Sequence, residues 1–207
     1  MREFFVVCQI MMCFVVACAW NTVAELEADA SQKIMNPVCL LDTNFVSNLN
    51  NAAQSTNVIM KVDANLVKSM VYYQRFLATA DGQMVDDQKQ SLSNAVNLTV
   101  GMTNSWQFWA GRFLLASTYA ADNDFSIAYQ MSTNSIKMIQ HTGVVIDTNV
   151  LSKAILTYYE MPDIELETAF KVFAGMSAAG AGIGCAATNY ANQVSDPYRS
   201  TILDFIK

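Results

Sequence analysis

Asp42-Thr43-Asn44-Phe45-Val46-Ser47-Asn48-Leu49-Asn50-Asn51-Ala52-Ala53 opens a stretch, running on to Met102, whose reading decides the fold. Phe45, Val46, Leu49, Ala52 and Ala53 recur every three to four residues, while Asn44, Ser47, Asn48 and Asn51 fill the opposite side. This is the spacing of an amphipathic helix with one buried face. A second helix is expected from Asp63, read as its N-cap, with Leu66, Met70, Tyr73 and Leu77 on the inward stripe. It should stop at Asp81-Gly82, where glycine supplies the left-handed conformation of a helix end. A third helix places Leu92, Ala95, Val96 and Val100 inward and Gln90, Asn94 and Asn97 outward. Three amphipathic helices in succession predict an all-α bundle.

The rest of the chain extends that pattern. Trp106, Trp109 and Phe113, at i, i+3 and i+7, share one face of a further helix. They read first as a helix at the centre of the core, and second as an apolar ligand pocket or self-association face. Past Asp122-Asn123-Asp124, helices are expected from about Ser126 to Gln140 and from Asp147 or Thr148, the latter with Leu151, Ala154, Ile155 and Tyr158 inward. Met161-Pro162 ends that helix, with Pro162 in the first turn of the next, which buries Leu166, Phe170 and Phe173. The tract 174–184 holds four glycines among alanines, which weakens a regular helix and reads as a close-packed turn or a linker before a last helix, Tyr198 to Ile206. The expectation is a bundle of about five to seven helices spanning 37–174, followed by a Gly/Ala-rich segment and C-terminal helix at 175–207.

Residues 1–19 have the pattern of a signal peptide: Arg2, an apolar run from Phe4 to Val16, and the small-x-small site Ala17-Cys18-Ala19. The apolar run is short for a bilayer span, so secretion without stable membrane insertion is expected. The acidic extension 20–36, carrying Glu25, Glu27 and Asp29, reads as either a helix packed on the bundle or a loose arm. Removing the leader leaves Cys39 and Cys185, a candidate disulfide worth about 4–5 kcal/mol in the chain-entropy account. Bridges to another chain are the alternative. Asn97-Leu98-Thr99 is an N-glycosylation sequon in this setting.

The chain has 207 residues, 53% of them apolar, and a net charge of −6 with its basic residues scattered. That size suits one domain, and the charge disfavours a nucleic-acid partner. His141, the only histidine, stands near a helix C-terminus, where it could act as a cap and a pH-sensitive group. No nucleophile motif, phosphate loop, calcium loop or dinucleotide fingerprint occurs, so no catalytic, cofactor-binding or metal role is assigned.

The run Phe45 to Thr56 resembles the first helix of the N-terminal domain of spider silk proteins. Gly82, Gln90, Leu92, Ala95 and Val100 fall where that family's third helix has similar residues, and His141-Thr142-Gly143-Val144-Val145 resembles the turn into its fifth. The resemblance covers about Pro37 to Tyr159 and implies a non-enzymatic module that is stored soluble and forms homodimers as pH or salt changes. The chain departs from the family at two charged positions: the basic residue before the third-helix Leu is represented by neighbouring Lys89, and the acid early in helix five by Ser152 or Lys153. The rival expectation is a secreted carrier of a small apolar ligand, lined by Trp106, Trp109, Phe113 and Tyr158.

Overall fold

The computed structural model describes residues 20–142, 149–158 and 165–206. Among these, the chain is entirely helical, with ten α-helices and one 3-10 turn, more elements than the five to seven expected. They are α1 (Val23–Met35), the 3-10 turn Pro37–Leu41, α2 (Thr43–Ala52), α3 (Val58–Thr79), α4 (Gln83–Leu98) and α5 (Trp106–Ala121). After them come α6 (Phe125–Thr142), α7 (Val150–Tyr158), α8 (Leu166–Gly180), α9 (Gly184–Ala191) and α10 (Tyr198–Ile206). Residues 1–19, expected as a signal peptide, Asp147-Thr148, Met161-Pro162 and the turn 143–148 lie outside the described residues.

Two helices act as hubs. α3 packs against α1, α2, the 3-10 turn, α4 and α5, whereas α8 packs against α5, α6, α9 and α10. α5 touches both hubs, so its aromatic residues sit where the two halves of the core meet. The acidic extension is an integral helix. A capping box between Thr22 and Glu25 starts α1, and Leu26, Ala30 and Ile34 at i, i+4 and i+8 are buried in the common core.

The opening stretch differs from its reading at three points. Asp42 caps α2, accepting from the Phe45 N–H at 2.8 Å. The next helix, however, starts at Asn57, whose side chain accepts from the Met60 N–H at 3.2 Å, so Asp63 lies inside α3 and not at its cap. α3 ends at Ala80, which itself takes the left-handed conformation (φ 54°), while Gly82 is helical at φ −60°. The expected inward Leu77 is 59% exposed because the last turn of α3 runs past its neighbours, and Val100 is 74% exposed because α4 has already ended at Leu98.

The Gly/Ala tract is helical, not a linker. It forms the second half of α8 and, after a turn at Gly182 (φ +75°), the start of α9, so the expected boundary at residue 174 falls within a helix. Two glycines explain the composition. A Cβ on Gly175 would lie 2.8 Å from Ile202 Cδ1, and one on Gly180 would lie 2.5 Å from the Phe125 ring. Both are sites of close approach, the first bringing α10 onto α8. Gly175→Ala should therefore cost about 1–3 kcal/mol by forcing α10 outward, seen as a lower melting temperature and faster proteolysis near Tyr198. Gly184→Ala, with nothing within 4 Å of the new carbon, is the neutral control.

The expected Cys39–Cys185 disulfide is not made. Cys39 is buried in the 3-10 turn and is not a free thiol, whereas Cys185 stands on α9 with a free, exposed thiol. The reason is topological: the 3-10 turn packs on α1, α2 and α3, and α9 packs on α8 and α10.

Candidate functional site

Helix α3 is buried on every side over one stretch. Val62, Asp63, Ala64, Asn65, Leu66 and Val67 are consecutive buried residues, a pattern that only a helix wrapped by neighbours can have. Most of that surface is apolar and needs no partner. Asp63 is the exception: it has no solvent exposure, and neither carboxylate oxygen accepts a hydrogen bond of good geometry among the described residues. The groups facing it are the Glu27 carboxyl from α1 and the Gln107 amide from α5.

Glu27 follows Leu26 on α1 and is drawn inward by that helix's buried stripe, ending half-buried. Its carboxylate accepts a hydrogen bond from Asn149 Nδ2. Asn149 also caps α7, its Oδ1 accepting from the Ser152 N–H at 2.8 Å. One polar cluster thus ties α1, α3, α5 and the start of α7 together.

Two carboxyls held this close, one of them fully dry, cannot both ionise cheaply. Burial, reinforced by the negative charge of Glu27, pushes Asp63 up to about 8 from an ordinary 3.8, with Gln107 opposing only partly. Burial also raises Glu27, against the lowering effect of its polar neighbours Asp63 and Asn149. The pair therefore retains a proton at neutral pH. Asp63 is sealed beneath its neighbours, whereas Glu27 is half-buried. Among the described residues, no group of three or more His, Cys, Asp or Glu is placed to hold a metal ion.

The residues singled out from sequence lie elsewhere. Trp106, Trp109 and Phe113 are brought together on one face of α5, as expected, but all three are buried. Trp109 and Phe113 meet Phe170 of α8 edge-on at 6.3 and 5.8 Å, and Phe113 meets Phe173 at 4.8 Å. They form interlocked core, with no surface to offer a partner. His141 is exposed in the last turn of α6, beside the carbonyl end of that helix. Asn97 is exposed on α4, while Thr99 of the same sequon is buried and bonded to the Ala95 carbonyl at 2.9 Å. Lys89 pairs with Asp122 and, at 3.5 Å, with Asp124, closing α4 onto the α5–α6 turn.

Sequence reasoning missed the Glu27–Asp63 pair because both acids had ordinary explanations, a solvated arm and an N-cap. The available signal was Asn57, an equally good cap six residues earlier. Starting the helix there would have placed Asp63 in its second turn, between apolar neighbours. No protein family, curated protein or solved structure matches the chain.

Proposed function

We propose that this chain is a secreted, non-enzymatic helical module that self-associates in response to pH and salt, with the Glu27–Asp63 pair tying the stability of its fold to pH. The observation that carries the reading is the pair of facing carboxyls between α1 and the central helix, Asp63 fully buried and Glu27 partly so. The folded-state value of Asp63 lies above its unfolded value. The stabilisation due to proton uptake is therefore complete below about 3.8 and is lost as pH rises through about 8. Acid clamps α1 onto α3 and α7; alkali loosens it.

Two further features support the same reading. A net charge of −6 keeps copies apart near neutrality, and protonation or screening weakens that repulsion. The exposed Lys89–Asp122–Asp124 cluster adds a salt-sensitive contact between α4 and the α5–α6 turn. The likeness to silk-protein N-terminal domains points to a homodimer as the associated state.

Molar mass measured by light scattering at pH 7.5 and 5.5, in low and high salt, tests this. The expected result is a monomer at pH 7.5 that becomes a discrete dimer at pH 5.5. A monomer under all four conditions would remove the proposal.

A further inference from the structure

Just beyond α2, the surface folds against α3 and α4 into a cleft of about 450 Å³. Its walls are mostly polar, with Ala53 and Leu98 as the apolar part. Lys61, Asn65 and Lys68 lie at i, i+4 and i+7 on one stripe of α3, Asn94 and Asn97 face them at i and i+3 on α4, and Gln54 closes the end. Among the described residues, no carboxylate lines it. Neither lysine belongs to any of the ion pairs found among the described residues.

An acidic chain thus concentrates two cations in one concavity, with Asp87 acting on Lys68 from outside its lining. The amides are only partly used. Asn65 donates to the Lys61 carbonyl at 2.7 Å, leaving its oxygen, and Asn94 accepts from Gln90 at 3.0 Å, leaving its NH2 as a donor. Burial lowers the pKa of Lys68, and Asp87, held by Gln83 at 3.2 Å, offsets this only partly. A half-buried ammonium of this kind gains from an anion that approaches it, and a cleft focuses the field that draws one in.

We propose that this cleft binds a small oxyanion, the chemistry shared by phosphate, sulfate and carboxylate groups. Lys61 and Lys68 bring the charge, and the Asn94 and Asn97 amides donate to the remaining oxygens. Lys61 and Lys68 are about 10 Å apart along the helix axis, within reach of one anion for two flexible side chains.

The test is a titration of the full chain, followed by ¹⁵N–¹H spectra, with sodium phosphate, sulfate or acetate against sodium chloride of equal ionic strength. Saturable shifts are expected at the Asn94 and Asn97 side-chain amides and around Lys61 and Lys68. The ranking of the three salts identifies the preferred group. In the double variant Lys61→Gln/Lys68→Gln, half-saturation should weaken by about tenfold or more, while Lys153→Gln, on the exposed side of α7, leaves it unchanged. Shifts that match sodium chloride, or saturation unaltered in the double variant, would overturn the proposal.

Discussion

Replacing Asp63 by asparagine is expected to stabilise the protein at pH 7.5 and to flatten its dependence on pH. The wild-type chain takes up a proton on folding throughout the interval between about 3.8 and about 8. Each pH unit inside that interval changes stability by about 1.4 kcal/mol per proton, so acidification from pH 7.5 to 5.5 should add about 2–3 kcal/mol. For a domain of this size, that is a rise of roughly 5–10 °C in melting temperature. Most folded proteins lose stability in acid because their carboxylates are better off charged; this one gains over that range because a buried acid is better off neutral. The substituted amide needs no proton and has nearly the shape of the protonated acid, so the slope should vanish with it. Thermal melts of both proteins at three pH values decide the matter. A wild type that weakens steadily from pH 7.5 to 5.5, or a variant less stable at every pH, would mean that Asp63 is held charged by donors.

Glu27→Gln makes a useful contrast. It removes the neighbouring negative charge, so Asp63 should titrate nearer the ordinary carboxylate range while still being raised by burial. The pH slope should survive, displaced toward acid. A pair acting together thus gives two different signatures from its two halves.

The all-helical architecture was legible because periodicity reports burial directly. Phe45, Leu49, Leu66, Met70, Leu92, Ala95, Leu151 and Phe170 all read inward and are all buried. Boundaries were less legible because several residues can serve one cap. Asp42 and Asn57 make the helix-starting hydrogen bonds, whereas Asp63, of the same chemical type, does not. The glycines near residue 180 misled for a related reason. Glycine lowers helix propensity, but it also lets a helix or ring approach closely, and here the contacts with Ile202 and Phe125 outweigh the propensity. The candidate site was the least legible part. Its meaning arises from α1 folding back over α3, bringing together residues that are 36 positions apart in the chain. A local pattern contains no record of that contact.

Trp109→Ala should be the most damaging single change in the aromatic segment, and its outcome separates a packed core from a ligand pocket. Trp109 is almost fully buried, meets Phe108 edge-on at 4.8 Å and Phe170 at 6.3 Å, and donates its indole N–H to the Thr103 carbonyl at 2.9 Å. Truncation removes the ring contacts, opens a cavity where the two halves of the core meet, and orphans that carbonyl. The expected cost is about 3–5 kcal/mol, or roughly 10 °C or more in melting temperature. Trp109→Phe keeps most of the ring and loses the hydrogen bond, so a smaller loss of about 1–2 kcal/mol is expected. In a carrier, a tryptophan lining an apolar cavity would behave differently: its removal would weaken ligand binding and leave the empty protein nearly as stable as before. A hydrophobic dye adds a second readout to the thermal melts. It should find no saturable site in the native chain and gain one, if anywhere, in Trp109→Ala. A variant that melts with the wild type, from a chain that already binds the dye, would return the aromatic face of α5 to the role of a binding site.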